Sequence, residues 1–115
     1  MAERRAAPLK TSDVAQIASV PGCRGEFFRV LQQTPRTQSA VMTIAPGADA
    51  GPEETHGGDQ IVYVLEGEAI VRIDSREHRV EAGTLLTIPA GVRHHLRNSG
   101  PVPLFLLTVY APPEY

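Results

Sequence analysis

The chain has 115 residues, enough for one domain with a real core and too few for two. Eleven Lys and Arg against thirteen Asp and Glu leave a formal charge of -2, with no block of about five or six like charges, which argues against nucleic acid or an anionic membrane as a partner. No segment approaches the roughly 18 apolar residues of a membrane span, "MAERRAAPLKTSD" holds no signal-length apolar stretch, and the single Cys23 has no disulfide partner, so a cytoplasmic protein with a structural cysteine is expected.

Residues 1 to 25 read as an N-terminal arm, with a helical turn over 12 to 19 capped by Ser12 or Asp13. Beyond it, ten glycines and ten prolines across the chain punctuate short runs rich in Val, Ile, Leu, Thr, Phe and Tyr, the pattern of an all-β domain over 26 to 110. Strands are expected at 26 to 32, 39 to 45, 60 to 66, 68 to 74, 77 to 81, 84 to 89, 94 to 98 and 103 to 110, followed by a tail at 111 to 115. Gly67 suits a hairpin turn needing positive φ, and "DSRE" (74 to 77) reads as the next turn. "IVYVL" and "PLFLLTVY" are apolar on both faces, so each needs cover on two sides: the barrel interior on one, and a second sheet, the N-terminal arm or another subunit on the other. A homodimer is expected on that ground.

Two stretches carry the candidate chemistry. In "EETHGGDQ" Glu54 and His56 are two apart and share a strand face, while Gly57 and Gly58 let the chain turn and bring Gln60 back toward them. Alone, such a loop reads as a solvated surface more readily than as a ligand set. In "GTLLTIPAGVRHHLRN" a strand opens on two histidines, and only one of His94 and His95 can face inward.

Together these stretches resemble the cupin family. Its second motif, glycine, five residues, Pro-x-Gly, two residues, His, three residues, Asn, is met at Gly83, Pro89, Gly91, His94 and Asn98. Its first motif is met at His56 and Gly67, with Glu54 where the family has its first histidine and Gln60 where it has glutamate. The resemblance spans roughly residues 38 to 110 and implies a single-domain jelly-roll β-barrel, a double-stranded β-helix, with one metal site inside held by Glu54, His56, Gln60 and His94.

The exchanged residues keep a formal ligand charge of -1, as in the family pattern. With Gln60 a weak ligand, Glu54, His56 and His94 form the two-histidine, one-carboxylate set that leaves positions open for substrate, and its oxygen donors favour Fe, Mn, Ni or Zn over copper. Val62 and Val64 share parity with Gln60, and Leu96 with His94; with Met42 and Ile44 they are the expected substrate-facing wall. His95 is expected to face out, His78 to be solvated, Asp59 to face solvent and Asn98 to bond local backbone in "NSGP". Arg36, Arg72 and Arg97 are the cations nearest the barrel strands. Nucleophile-elbow, phosphate-loop and dinucleotide glycine motifs are absent from the sequence. The expected function is metal-dependent chemistry of the oxygenase, isomerase or lyase kind on a small oxygen-rich substrate; the alternative is a non-catalytic barrel that binds a sugar or another small molecule.

Overall fold

The computed structural model describes residues 15–115. A 3-10 turn, Pro21–Cys23, precedes eight strands: β1 (Arg29–Gln33), β2 (Gln38–Ile44), β3 (Asp59–Glu66), β4 (Glu68–Ile73), β5 (Arg76–Glu81), β6 (Leu85–Ile88), β7 (His94–Asn98) and β8 (Leu104–Ala111). The expected helical turn does not form within 15–19, and Ser12 and Asp13 lie outside the described residues. Tertiary hydrogen bonds outcompete a single isolated turn there: the Gln16 amide donates to Gln33 O at 2.9 Å and accepts from Gln33 N at 3.0 Å. β1 starts later than expected, because Phe27 and Phe28 precede the strand.

Every pairing is antiparallel, in a five-stranded sheet of order β1-β2-β8-β3-β6 and a three-stranded sheet of order β5-β4-β7. The two sheets face each other as a jelly roll instead of closing into one hydrogen-bonded cylinder. Residues 49 to 54 run beside β7, joined to it by isolated bridges at Asp49–Arg97 and Glu54–His94.

Strand alternation builds the core. Ile44, Val62, Val64, Val71, Leu104 and Leu106 point between the sheets and are almost completely buried. On the outer face Val41 of β2 and Phe105 of β8 pack with Cys23 and Leu31, so the segment before β1 gives these strands their second cover and Cys23 is a core residue. That cover reaches only the end of β3, where Leu65 packs against the cluster; Ile61 and Tyr63 are each 37% exposed on its outer face.

Two glycines have specific causes. Gly67 joins β3 to β4 at φ +88, and a Cβ there would meet Pro103 O at 2.8 Å. Gly58 is required by close approach instead of by φ, since a Cβ would collide with Ala111 O and Pro112. The β4–β5 hairpin turns through Asp74 (φ 48) and Ser75 (φ 75), the left-handed pair that such a two-residue turn demands.

Candidate metal and ligand site

Gln60 near the start of β3 stands opposite Tyr110 of β8 and Ile88 of β6. Its Nε2 donates to Thr108 Oγ1 at 3.0 Å. The Thr108 hydroxyl gives its only proton to Ile61 O at 3.0 Å, so it can only accept from Gln60, and this fixes the amide orientation. Gln60 Oε1 is left buried and without a hydrogen-bond partner.

His94 opens β7 and donates Nδ1–H to Val92 O at 3.1 Å, which leaves the Nε2 lone pair available. His56 is held by its carbonyl, which accepts from Gly91 N at 2.9 Å. The His56 and His94 rings lie 4.9 Å apart between centroids, and both residues are more than nine-tenths buried. His56 Nδ1 lies 3.3 Å from Glu114 Oε2, close enough for an ion pair yet misaligned for a hydrogen bond, so this nitrogen too is unpartnered.

Glu54 and His94 exchange backbone hydrogen bonds of 3.0 Å in both directions. Residues directly opposite in an antiparallel bridge present their side chains on one face, and Glu54 accordingly lines the cavity wall, at its exposed rim. Among the described residues no three His, Cys, Asp or Glu side chains cluster at metal-ligand spacing. Two imidazoles and one amide oxygen line the same cavity, with a carboxylate at its rim. An unpartnered buried amide oxygen sharing one cavity with two imidazoles fits a divalent transition-metal ion, for which imidazole is a borderline donor and the amide oxygen a hard one.

The cavity around this centre holds about 300 Å³. Met42, Val62 and Leu96 line it as expected. Ile44 and Val64 do not: they share the inward parity but lie one further step along β2 and β3 from Met42 and Val62, inside the packed core. Four aromatic residues that sequence reasoning passed over complete the wall: Phe27, Phe28, Tyr110 and Tyr115. Tyr110 takes its place through the β3–β8 register, a non-local pairing with no local sequence signal.

Residues after β8 are built into the site. Buried Gln38 of β2 accepts Glu114 N at 3.2 Å and Tyr115 N at 2.9 Å, and donates to Tyr115 O at 2.6 Å. Tyr115 then packs edge-on against Phe28 and Tyr110, each at 5.2 Å between centroids. Burial, then the neighbouring Tyr115, push the Tyr110 phenol far above the ordinary tyrosine range. Burial, then the Glu54 and Glu114 carboxylates, raise that of Tyr115.

The remaining polar residues stay out of the centre. His95 borders the cavity too, but its Nε2 lies 3.2 Å from Asp49 Oδ2, so this ring is taken up by a carboxylate outside the centre. Gly51 N–H, then His95, hold the Asp49 carboxyl below its ordinary value. His78 is exposed, and exposed Asp59 accepts Ala90 N at 3.0 Å. Asn98 is structural: Nδ2 donates to Ile44 O at 2.9 Å and Val102 O at 2.8 Å, and Oδ1 accepts Gly100 N at 2.8 Å.

Known proteins agree with this reading of the fold. Residues 40–110 match the cupin domain. The Streptomyces glaucescens tetracenomycin polyketide synthase protein TcmJ is 32% identical over 60% of this chain and 48% of its own length. The crystal structure of BH2720 from Bacillus halodurans has a TM-score of 0.74 at 35% identity, covering 78% of this chain and 73% of that one. A predicted oxalate decarboxylase from Thermotoga maritima, at 24% identity and a TM-score of 0.68 over 75% of this chain and 79% of its own, shares the fold. The chain spans about half the length of the curated relatives it matches, from 45% to 62% for the first three. No helix among the described residues is long and apolar enough to cross a membrane. The domain match over most of the chain, the jelly roll and the shared fold of these relatives agree, and the chain belongs to the cupin family.

Proposed function

We propose that this cupin is a metal-dependent enzyme acting on a small organic molecule bearing oxygen. His56, His94 and Gln60 would hold one divalent ion, Fe, Mn, Ni or Zn, with Glu54 supplying a carboxylate from the rim. The observation that carries this reading is the buried, unpartnered Gln60 Oε1 in the same cavity as two imidazoles whose centroids are 4.9 Å apart. A bound ion of this type polarises a substrate oxygen as a Lewis acid, or supports oxygen chemistry if it is iron.

The chain's own residues prepare that centre. Val92 O sets the His94 tautomer, and Thr108 fixes the Gln60 amide, so both ligand atoms are oriented in advance. The apolar wall keeps water sparse around a bound substrate, which strengthens every polar contact inside. The Tyr110 phenol lines the cavity and would donate a hydrogen bond to a substrate oxygen.

Elemental analysis of untagged protein incubated with Fe(II), Mn(II), Ni(II) and Zn(II) tests the reading. Close to one equivalent of an ion supports it, and less than about a tenth of an equivalent of any of them contradicts it.

The same proposal includes a homodimer. Ile61, Tyr63 and Leu85 leave an apolar row exposed on neighbouring β3 and β6, with Tyr63 directly opposite Leu85. Sedimentation equilibrium should show a dimer that Tyr63→Glu dissociates; a wild-type monomer at micromolar concentration contradicts it.

A further inference from the structure

We propose that the cavity selects an uncharged ring compound carrying a hydroxyl or enol and excludes small anions, with Glu54 and Glu114 as its charge-selective residues. This rests on the reading of the cavity as the ligand site but does not depend on which ion it holds.

Three observations carry it. Among the described residues that line the cavity there is no Lys or Arg. The cations nearest the strands serve elsewhere: Arg72 is 3.6 Å from Glu53, while Arg36 and Arg97 are exposed away from the cavity. A site built for a carboxylate or phosphate substrate ordinarily presents such a group, because an anion leaves water only for a charged or multiply donating partner.

The acidic side chains nearest the centre stand at the rim and behind His56. Glu54 stands at the rim, and the Glu114 carboxylate lies 3.3 Å from His56 Nδ1. A divalent ion at the imidazole pair brings the local sum of these formal charges to about zero, and without it the sum is negative. In neither state does the net charge draw an anion in, which leaves direct ligation of the ion as an anion's one favourable contact. The raised Tyr115 phenol, after burial, registers the same two carboxylates.

The walls favour a flat ring. Phe27, Phe28, Tyr110 and Tyr115 offer aromatic faces and edges, and the volume of about 300 Å³ lies at the small end of ligand pockets, which suits one or two fused rings. The buried polar side chains of the wall are Gln60, whose Oε1 has no partner, His56 and His94. A single hydroxyl on an otherwise apolar ring matches that distribution, whereas a sugar's many hydroxyls would go unpaired against Met42, Leu96 and Leu106.

The test compares 2-naphthol with 2-naphthoate, matched in ring and differing in charge, by amide chemical-shift titration of the full chain, with metal content measured on the same sample. The expected result is 2-naphthol shifting Phe28, Leu96 and Tyr115 and binding at least about tenfold tighter, as contact with like charges implies. Glu54→Gln and Glu114→Gln, both near-isosteric and checked for an unchanged fold by the same spectra, should narrow that gap by strengthening 2-naphthoate. Equal or tighter binding of 2-naphthoate, no binding of either probe, or a gap that neither variant changes would overturn the proposal. A preference for 2-naphthol in protein that retains no metal would support it while removing the metal-enzyme reading, so the two failures are distinguishable.

Discussion

Glu114 Oε2 lies 3.3 Å from His56 Nδ1, and a buried glutamine brings the two together: Gln38 grips the backbone of Glu114 and Tyr115 and draws the segment after β8 against the cavity. His56 Nδ1 has no aligned hydrogen bond, and this carboxylate is the group beside it. A carboxylate behind a ligating imidazole fixes its tautomer and raises its basicity. Glu114→Ala should therefore weaken Zn(II) binding by about tenfold or more in a competition titration, and Glu114→Gln, which keeps an acceptor oxygen, by less. A change within about twofold for Glu114→Ala would show that Glu114 does not position His56.

Adjacent strand residues face opposite ways, and His94 and His95 differ accordingly: His94 is buried at the centre, while His95, at the cavity's border, is paired with Asp49. His94→Ala should lose the metal while keeping the fold, and His95→Ala should retain it. Metal content and far-ultraviolet circular dichroism of the two variants check this, and the reverse pattern would contradict the placement.

Asn98 joins three backbone groups, one at the end of β2 and two in the loop before β8, through one buried amide. Asn98→Ala leaves those groups without partners and should cost on the order of 2–3 kcal/mol, read as a lower midpoint in urea with an unchanged slope. Metal affinity should change little if the protein is compared under folding conditions, because none of the three bonds reaches the imidazole pair.

The Tyr110 phenol is raised, chiefly by burial, so its proton leaves later in the folded chain than in the unfolded one. The stability this gives is present below the ordinary tyrosine value of about 10 and is lost as pH rises from there through the higher folded value. An ultraviolet titration should show a late phenolate component that Tyr110→Phe removes, and alkaline destabilisation should be shallower in that variant. A wild-type curve in which every tyrosine titrates near the ordinary value would contradict the burial.

The strands were legible because alternation and glycine–proline punctuation are local: all eight expected runs overlap an observed strand. The start of β7 at His94 was legible through motif spacing, since the turn at Gly91 sets where that strand begins. The aromatic half of the cavity was not. Tyr110 enters through its register with Gln60, and Tyr115 through a hydrogen bond to Gln38, both contacts between residues far apart in sequence. "PPEY" read alone is a tail, and only the fold turns it into a wall. Ile44 and Val64 went astray for the converse reason, because parity gives the face a side chain points to but not its depth along the strand.

The most direct test of the metal centre is anomalous diffraction from crystals of the full chain grown with Zn(II). One peak is expected within bonding distance of His56 Nε2, His94 Nε2 and Gln60 Oε1, with the Glu54 carboxylate turned toward it. No peak in the cavity, or a peak instead at His95 and Asp49, would contradict the account.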